Sequence, residues 1–271
     1  MTTSPLDVFA PNLLAGKTAL VTGGGSGIGA GIARVFARHG AKVALVGRTK
    51  EKLEAVTAEI AAAGGTASVH PCDVRDFAAL EAAINAAAAD GGLDLLVNSA
   101  AGNFLAPAAM LSANGFRSVV DIDLNGTFNA CRAAYAHLAK KGGTILSITA
   151  TQATVPTPLQ VHAGAAKAGI EKLTRDLALE WGRFGIRVVA VAPGPVEGTE
   201  GMSRLAPGTT GDKLKQRVPA GRYAAIEEIA AACLYLASPA AAYVTGTTLL
   251  IDGGTSLVGA GPFLDLMYGE G

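Results

Sequence analysis

The stretch that decides the fold is "TALVTGGGSGIGAGIARVFARHG", residues 18–40. Its short apolar run predicts a buried strand, and the spaced apolar residues after the glycines predict a helix. Glycines permit a tight turn and close backbone approach, while a helix N-terminus offers free N–H groups to an anion. A bare glycine-rich turn also suits a flexible loop, but the strand before it and the helix after it indicate a dinucleotide pyrophosphate site. The candidate contacts are Gly23, Gly25, Ser26, Gly27, Ile28 and Gly29.

The same alternation continues along the whole chain. Further apolar runs that predict strands are "KVALVG", "TASVHP", "LDLLVNSA", "GTILSITA", "GIRVVAVAPG" and "GTTLLIDGG", and Ala-rich helical segments separate them. Strands without polar alternation are buried on both faces, so we expect an α/β doubly wound Rossmann fold with a seven-stranded, mainly parallel sheet and helices on both faces. No repeat or linker divides the chain, which predicts a single dinucleotide-binding domain over residues 1–271 with a substrate loop around 193–215.

Charge and cysteine content exclude several classes of protein. Lys plus Arg equals Asp plus Glu at 22 each, so no global field favours nucleic acid or an anionic membrane. No run reaches about 18 apolar residues, and we expect neither a membrane span nor an export signal. The three cysteines and four histidines show no disulfide or metal-ligand spacing, so we expect no metal and a reducing cytoplasm.

The end of the second strand bears on the choice of cofactor. It reads "VGRTK", residues 46–50, where a site selective for NAD carries an acidic residue for the ribose 2′-hydroxyl. Arg48 stands there instead, with Thr49 beside it. An arginine fork suits a 2′-phosphate, so NADPH is predicted as the cofactor. The alternative is a solvated arginine at a strand end.

Several motifs appear together in the order of a known family. They are "TGGGSGIG", "CDV", "VNSAAG", a helix with a lone lysine, "APGPV" and "IDGG", and with them nearly the whole chain resembles the short-chain dehydrogenase/reductase family. The resemblance implies that Asp73 and Val74 contact the adenine, although Asp73 alone could merely cap a helix. It also implies that Ala100, Ala101 and Gly102 line the cofactor and that Pro193, Gly194, Val196 and Thr199 flank the nicotinamide.

Three departures from the family pattern matter for the chemistry. Ala163, Ala150 and Asp123 stand where typical members carry a tyrosine, a serine and an asparagine, and none of the five tyrosines falls at the expected place. A carbonyl that gains hydride becomes an alkoxide and needs a proton donor within hydrogen-bond reach, which alanine cannot provide. Ordinary ketone reduction therefore loses its usual acid.

One branch of the family lacks that tyrosine, the peroxisomal-type 2,4-dienoyl-CoA reductases and their bacterial relatives. The chain is similar to this branch in "AAGNFLAPA", "LQVHAGAAKAG" and "APGPVEGTEGM", although its last residues, "MYGEG", are not a peroxisomal address. The resemblance implies NADPH-dependent reduction of a 2,4-dienoyl-CoA to a 3-enoyl-CoA by a homotetramer. It also carries over an acyl-CoA site at Arg75, Phe104, Ser112, Asn114 and Arg204.

Three residues are candidates for the catalytic step. Lys167 is assigned to the nicotinamide ribose hydroxyls; its alternative is an exposed helix lysine paired with Glu171. Asn103 is the candidate donor to the developing thioester oxyanion, and the alternative is turn chemistry. Asp123 either holds or protonates a water near the α-carbon or simply pairs with Lys167.

Two other functions stay open from the sequence. One is a reductase of the same fold that acts on another enoyl or keto substrate. The other is a non-catalytic NADP-binding homologue, against which the complete glycine turn, Lys167 and "AAGNF" speak. His162 either lines the pocket or packs as a neutral histidine, and Trp181 is predicted to lie in the core at the end of its helix.

Overall fold

A seven-stranded sheet forms the centre of the structure, a computed structural model that describes residues 4–199, 201–202 and 214–260. The strand order is β3-β2-β1-β4-β5-β6-β7, and every neighbouring pair is parallel, so the predicted mainly parallel sheet is entirely parallel. All seven predicted strands are present. They are β1 Thr18–Thr22, β2 Lys42–Gly47, β3 Thr66–Pro71, β4 Leu95–Asn98, β5 Gly143–Ile148, β6 Ile186–Pro193 and β7 Thr248–Ile251.

Helices cover both faces of the sheet. They are α1 Gly27–Arg38, α2 Lys50–Ala62, α3 Phe77–Ala87, α4 Ala113–Val120, α5 Gly126–Leu138, α6 Val161–Trp181 and α7 Ile226–Ala237. Within the described residues, no helix combines the length and the apolar character needed to cross a bilayer.

Two apolar cores follow from the alternation of side chains along each strand. Val21 points to one face, where it packs with α1, α2 and α7, and Leu20 points to the other, where it packs with α3, α5 and α6. Trp181 is buried in the second core at the end of α6, as the sequence predicts. Because both faces are covered, the central strands β1 and β4 are fully buried, whereas the edge strand β3, TASVHP, is partly exposed and includes polar residues.

The order of the strands changes direction at β1: β2 and β3 are added on one side of it, and β4 to β7 are added on the other. Strand β1 is hydrogen-bonded to β2 on one side and to β4 on the other, which makes the crevice beyond their carboxyl ends the topological switch point. Thr22 ends β1, and its hydroxyl oxygen accepts hydrogen bonds from the N–H groups of Ser99 and Ala100 at 3.1 and 3.2 Å. The turns after β1 and β4 are thereby joined at this crevice.

A π-helical turn, Asp121–Asn125, joins α4 to α5 without breaking the helix. Such a turn inserts one residue into the helical register and is frequent at functional sites. The Thr127 hydroxyl donates to the carbonyl oxygen of Asp123 at 2.6 Å, which satisfies an acceptor inside the turn. The Asp123 side chain is 1 % exposed and lies inside the protein.

Candidate active site

A cavity of about 520 Å³ opens at the carboxyl ends of the strands. The structure brings every predicted cofactor contact to its wall, and those contacts are Gly23, Gly25, Ser26, Gly27, Ile28, Gly29, Arg48, Thr49, Asp73, Val74, Ala100, Ala101, Gly102, Lys167, Pro193, Gly194, Val196 and Thr199. Asp123 and Asn103 line the same cavity. The cofactor and catalytic candidates therefore share one site.

The glycine turn after β1 fits a pyrophosphate. Gly23 has φ +68°, and a Cβ there would lie 2.7 Å from the carbonyl oxygen of Ser99, so only glycine suits the position. Ser26 caps α1 without a side-chain hydrogen bond, which leaves the N–H groups of the first helical turn for a ligand. A helix N-terminus in this state binds anions through its N–H groups and its dipole.

Cationic side chains lie where β2 ends. Arg48 is exposed on the cavity wall, Thr49 caps α2 without a side-chain hydrogen bond, and Lys52 lines the cavity one turn further on. No carboxylate occupies the two positions after β2. This wall suits a phosphate better than a bare ribose hydroxyl.

The adenine-side candidate Asp73 is held in an ion pair. Its carboxylate accepts from the Arg75 guanidinium at 2.6 and 3.0 Å, and this hydrogen bonding lowers the pKa of Asp73 below its usual value. Arg75 turns towards Asp73 and is not part of the cavity wall.

The other predicted acyl-CoA contacts also lie away from the cavity wall. The Ser112 hydroxyl accepts from the N–H of Gly115 as the cap of α4, and the Asn114 side chain accepts from Arg117 at 3.2 Å. Phe104 packs on His162, with 4.5 Å between ring centroids. Arg204 lies outside the described residues. The structure thus does not gather this set, and its role in binding acyl-CoA stays a prediction.

The centre of the cavity contains a buried ion pair. The Lys167 ammonium lies 3.2 Å from Asp123 Oδ2 and donates to the carbonyl oxygen of Ile148 at 3.1 Å. The backbone N–H of Gly102 donates to Asp123 Oδ1 at 2.7 Å. One carboxylate oxygen therefore accepts a hydrogen bond and the other faces the ammonium, and the alternative of an exposed Lys167 paired with Glu171 is wrong.

The wall beside this pair lacks a hydroxyl at the positions that typical family members use. Ala150 and Ala163 both line the cavity, and the Thr149 hydroxyl donates to the backbone oxygen of Lys167 at 3.3 Å. Of the tyrosines, Tyr135, Tyr223, Tyr235 and Tyr243 lie off the cavity wall and Tyr268 lies outside the described residues. Within the described part of the chain, no phenol can serve as the acid.

Two glutamines at the site escaped the sequence analysis. Asn103 Nδ2 donates to Gln160 Oε1 at 2.6 Å, and Gln152 Nε2 donates to the same oxygen at 3.3 Å. Gln152 lines the cavity, and Gln160 is buried behind it. His162 is fully buried against Phe104, which agrees with the packed alternative for this histidine.

A parallel doubly wound sheet with a phosphate-type glycine turn and a buried lysine at its switch point defines a nicotinamide-dependent oxidoreductase. The chain belongs to the short-chain dehydrogenase/reductase family: residues 23–256 match the family model described as enoyl-(acyl carrier protein) reductase.

Relatives within the family differ in substrate. The chain is 46% identical over 252 residues to the peroxisomal 2,4-dienoyl-CoA reductase [(3E)-enoyl-CoA-producing] of Rattus norvegicus, covering 92% of this chain and 86% of the relative. It is 42% identical over 246 residues to the D-threitol dehydrogenase of Mycolicibacterium smegmatis, covering 90% and 94%. A Beutenbergia cavernae structure solved with NADP bound at low occupancy has a TM-score of 0.86 at 36% identity and covers 91% of this chain and 99% of its own.

Proposed function

We propose that the protein is an NADPH-dependent 2,4-dienoyl-CoA reductase that forms 3-enoyl-CoA in the degradation of unsaturated fatty acids. The observation that carries the proposal is the buried Asp123–Lys167 pair on a cavity wall that has Ala150 and Ala163 in place of a hydroxyl acid. The 46% identity to a 2,4-dienoyl-CoA reductase supports the same substrate class.

A conjugated thioester explains why the tyrosine is dispensable. When hydride adds to the δ-carbon of a dienoyl thioester, the electrons move through the double bonds onto the thioester oxygen, and a proton then adds to the α-carbon. No oxygen of the product needs a proton. The site must instead stabilise charge on the thioester oxygen, which neutral N–H donors such as the Asn103 amide do without taking up hydride.

Different residues of the chain are assigned to cofactor binding and to the proton-transfer step. Bound NADPH would supply the hydride, held by the glycine turn, by Arg48 and Thr49, and by Lys167 at its ribose hydroxyls. The Lys167 ammonium has three donors, of which one bonds to the Ile148 carbonyl oxygen, and Asp123 Oδ2 lies 3.2 Å from the same nitrogen. Because the Gly102 N–H and the Lys167 ammonium hold the Asp123 carboxylate in place on the cavity wall, we assign to Asp123 the role of holding a water near the α-carbon.

Turnover of a 2,4-dienoyl-CoA with NADPH tests the proposal directly. We expect NADPH oxidation that depends on the dienoyl-CoA, with a 3-enoyl-CoA identified by mass spectrometry of the product. Asn103→Ala and Asp123→Ala should each slow turnover without abolishing NADPH binding. Reduction of simple ketones in place of the dienoyl-CoA would contradict the proposal, and cofactor binding without any turnover would indicate the non-catalytic homologue.

A polyol dehydrogenase is the second candidate, favoured by the 42% identity to D-threitol dehydrogenase. Oxidation of an alcohol needs a base at the hydroxyl proton. Ala163 and Ala150 offer none, so we expect no NADP reduction with threitol.

The proposal for the first function also includes an acyl-CoA product, assembly as a homotetramer and a cytoplasmic location.

A further inference from the structure

Three primary amides meet on one wall of the cavity. Gln160 Oε1 accepts from Asn103 Nδ2 at 2.6 Å and from Gln152 Nε2 at 3.3 Å. Asn103 and Gln152 come from different loops, after β4 and after β5, and both line the cavity. One buried oxygen therefore sets the direction of two amide groups that share a wall.

The local backbone holds Gln160 in place. Leu159 before it has φ +66°, a conformation that is uncommon for a leucine and persists where the surroundings determine it. Its carbonyl oxygen accepts from the N–H of Ala106 at 2.9 Å. This bond ties the loop of Gln160 to the loop that carries Asn103, so the glutamine and the asparagine are fixed relative to each other.

Gln160 is also what orients the Asn103 amide. The Oδ1 atom of Asn103 is buried and has no hydrogen-bond partner among the described residues. Among the described residues, the bond from Asn103 Nδ2 to Gln160 Oε1 is then the contact that decides which way the amide faces.

Each of the two amide nitrogens keeps a second N–H group. A primary amide carries two N–H donors, and Gln160 accepts one from Asn103 and one from Gln152. Because both nitrogens bond to the same oxygen, they cannot be more than about 6 Å apart. N–H···O bonds extend to about 3.2 Å, so one ligand oxygen can accept from two nitrogens at this separation.

We infer that Asn103 and Gln152 together bind the thioester oxygen of the acyl-CoA and that Gln160 is the positioning residue for the pair. The inference rests on the proposed function. As hydride adds to the δ-carbon, the electron pair that arrives on the thioester oxygen is stabilised by two N–H groups. Neither amide gives up its proton, and the proton that completes the reaction adds to the α-carbon.

The test uses the full-length protein with NADPH and a 2,4-dienoyl-CoA. Gln152→Met keeps the length of the side chain and removes the donor, and we expect kcat to fall about 100-fold, as for other single oxyanion donors. NADPH affinity and the KM for the dienoyl-CoA should stay within about threefold, because the donor acts on charge that develops only in the transition state. Asn85→Leu, which removes an exposed amide on α3, is the control and should leave kcat unchanged.

Gln160 variants separate positioning from structure. Gln160→Met should lower kcat at least as much as Gln152→Met, and the double variant should be no slower than Gln160→Met alone, because Gln160 acts through Gln152. Gln160→Glu keeps an acceptor for both amides and should restore part of kcat. If Gln160→Met fails to fold, Gln152→Met and Gln160→Glu still decide the matter.

The two proposals fail in different ways. If the wild-type protein reduces the dienoyl-CoA and Gln152→Met keeps its kcat, the paired-amide inference is overturned while the proposed function stands. If the effects of Gln152→Met and Gln160→Met multiply, Gln160 does not position Gln152 and the inference is also overturned. If the wild-type protein does not reduce a dienoyl-CoA, the proposed function and the inference that rests on it both fall.

Discussion

At the scale of single residues, Lys167 and Asp123 make up the most deeply buried charge pair that lines the cavity. The Asp123 side chain is 1% exposed and that of Lys167 11%. Removing one partner of such a pair leaves the other charge buried without compensation, which typically costs 3–5 kcal/mol. The pair therefore affects stability as well as the reaction.

Lys167→Met should lower the free energy of unfolding by about 3–5 kcal/mol, measured by urea denaturation. Adding Asp123→Asn should recover part of this loss, since the unpaired carboxylate is then gone. A single variant as stable as the double variant would show that the carboxylate does not depend on the lysine.

Under the proposed function, we expect the choice between NADPH and NADH to depend on Arg48. Arg48→Asp should reduce the preference for NADPH by about 10- to 100-fold, because hydrogen bonds to a charged phosphate contribute about 1.5–3 kcal/mol. The measurement is the ratio of kcat/KM values for the two cofactors. Lys42→Asp, at the opposite end of β2, is the charge-matched control, and an equal shift in that variant would remove Arg48 from the cofactor site.

At the scale of elements, the glycine turn after β1 depends on the approach of β4. Gly23→Ala would place a methyl group 2.7 Å from the Ser99 carbonyl oxygen at a φ of +68°. We expect NADPH affinity to fall at least tenfold. Titration of the protein with NADPH, monitored by fluorescence, measures this affinity. Gly64→Ala has a similar φ of +81° but nothing within 4 Å, so it should lose some stability and keep its NADPH affinity.

Asp94 ties together the starts of three strands. It precedes β4, accepts from the Thr18 N–H at 3.0 Å, and pairs with Lys17 and Lys141 at 3.1 Å each. Burial alone would raise the pKa of Asp94, but the hydrogen bonds from Thr18, Lys141 and Lys17 outweigh it and hold the pKa below its usual value. The folded protein thus favours the ionised carboxylate.

The sign of the pH effect follows from that lowered pKa. A carboxylate of this kind stabilises the fold above its unfolded pKa, about 3.9, and the stabilisation is lost as the pH falls through the lower folded value. The difference in unfolding free energy between the wild type and Asp94→Asn should be largest near neutral pH and should become smaller below about pH 4. A difference that stays constant with pH would mean that the charge of Asp94 is irrelevant.

Local sequence predicts elements better than it predicts contacts between loops. The strands and the glycine turn were foreseeable because each depends on residues adjacent in the chain. Gln152 and Gln160 were not, since they lie between β5 and α6 without periodicity, and Gln160 accepts from Asn103 on a different loop, directly after the left-handed Leu159. The ion pair of Asp123 with Lys167 was one of two interpretations of this residue from the sequence, and it forms because the π-helical turn packs against α6. The water-holding role of Asp123 stays a proposal.

At the scale of the whole molecule, the fold buries two of the three cysteines, Cys131 and Cys233, and leaves Cys72 partly exposed on the cavity wall. Burial raises the pKa values of Cys131 and Cys233 to about 12, and burial with the nearby Asp73 and Asp76 raises that of Cys72 to about 11. Because the thiolate is the reactive form, only a very small fraction of each thiol is reactive at neutral pH.

Alkylation with iodoacetamide should therefore be slow in the native protein and should reach three thiols per chain after denaturation. Mass spectrometry of the intact protein before and after urea treatment measures both stages. NADPH should slow the reaction of Cys72 further, because this residue lines the cavity. Rapid labelling of Cys131 or Cys233 in the native state would contradict the buried environment that the structure gives them.

The π-helical turn has a consequence for how this chain can change over evolutionary time. Each residue of a helix turns the chain by about 100°, so deleting one residue from Asp121–Asn125 would restore a regular α-helix and swing the carboxylate away from Lys167. Point substitutions at exposed positions of this helix keep its register and leave the carboxylate where it is. Changes of length do not, so gaps in related sequences should fall outside residues 113–138.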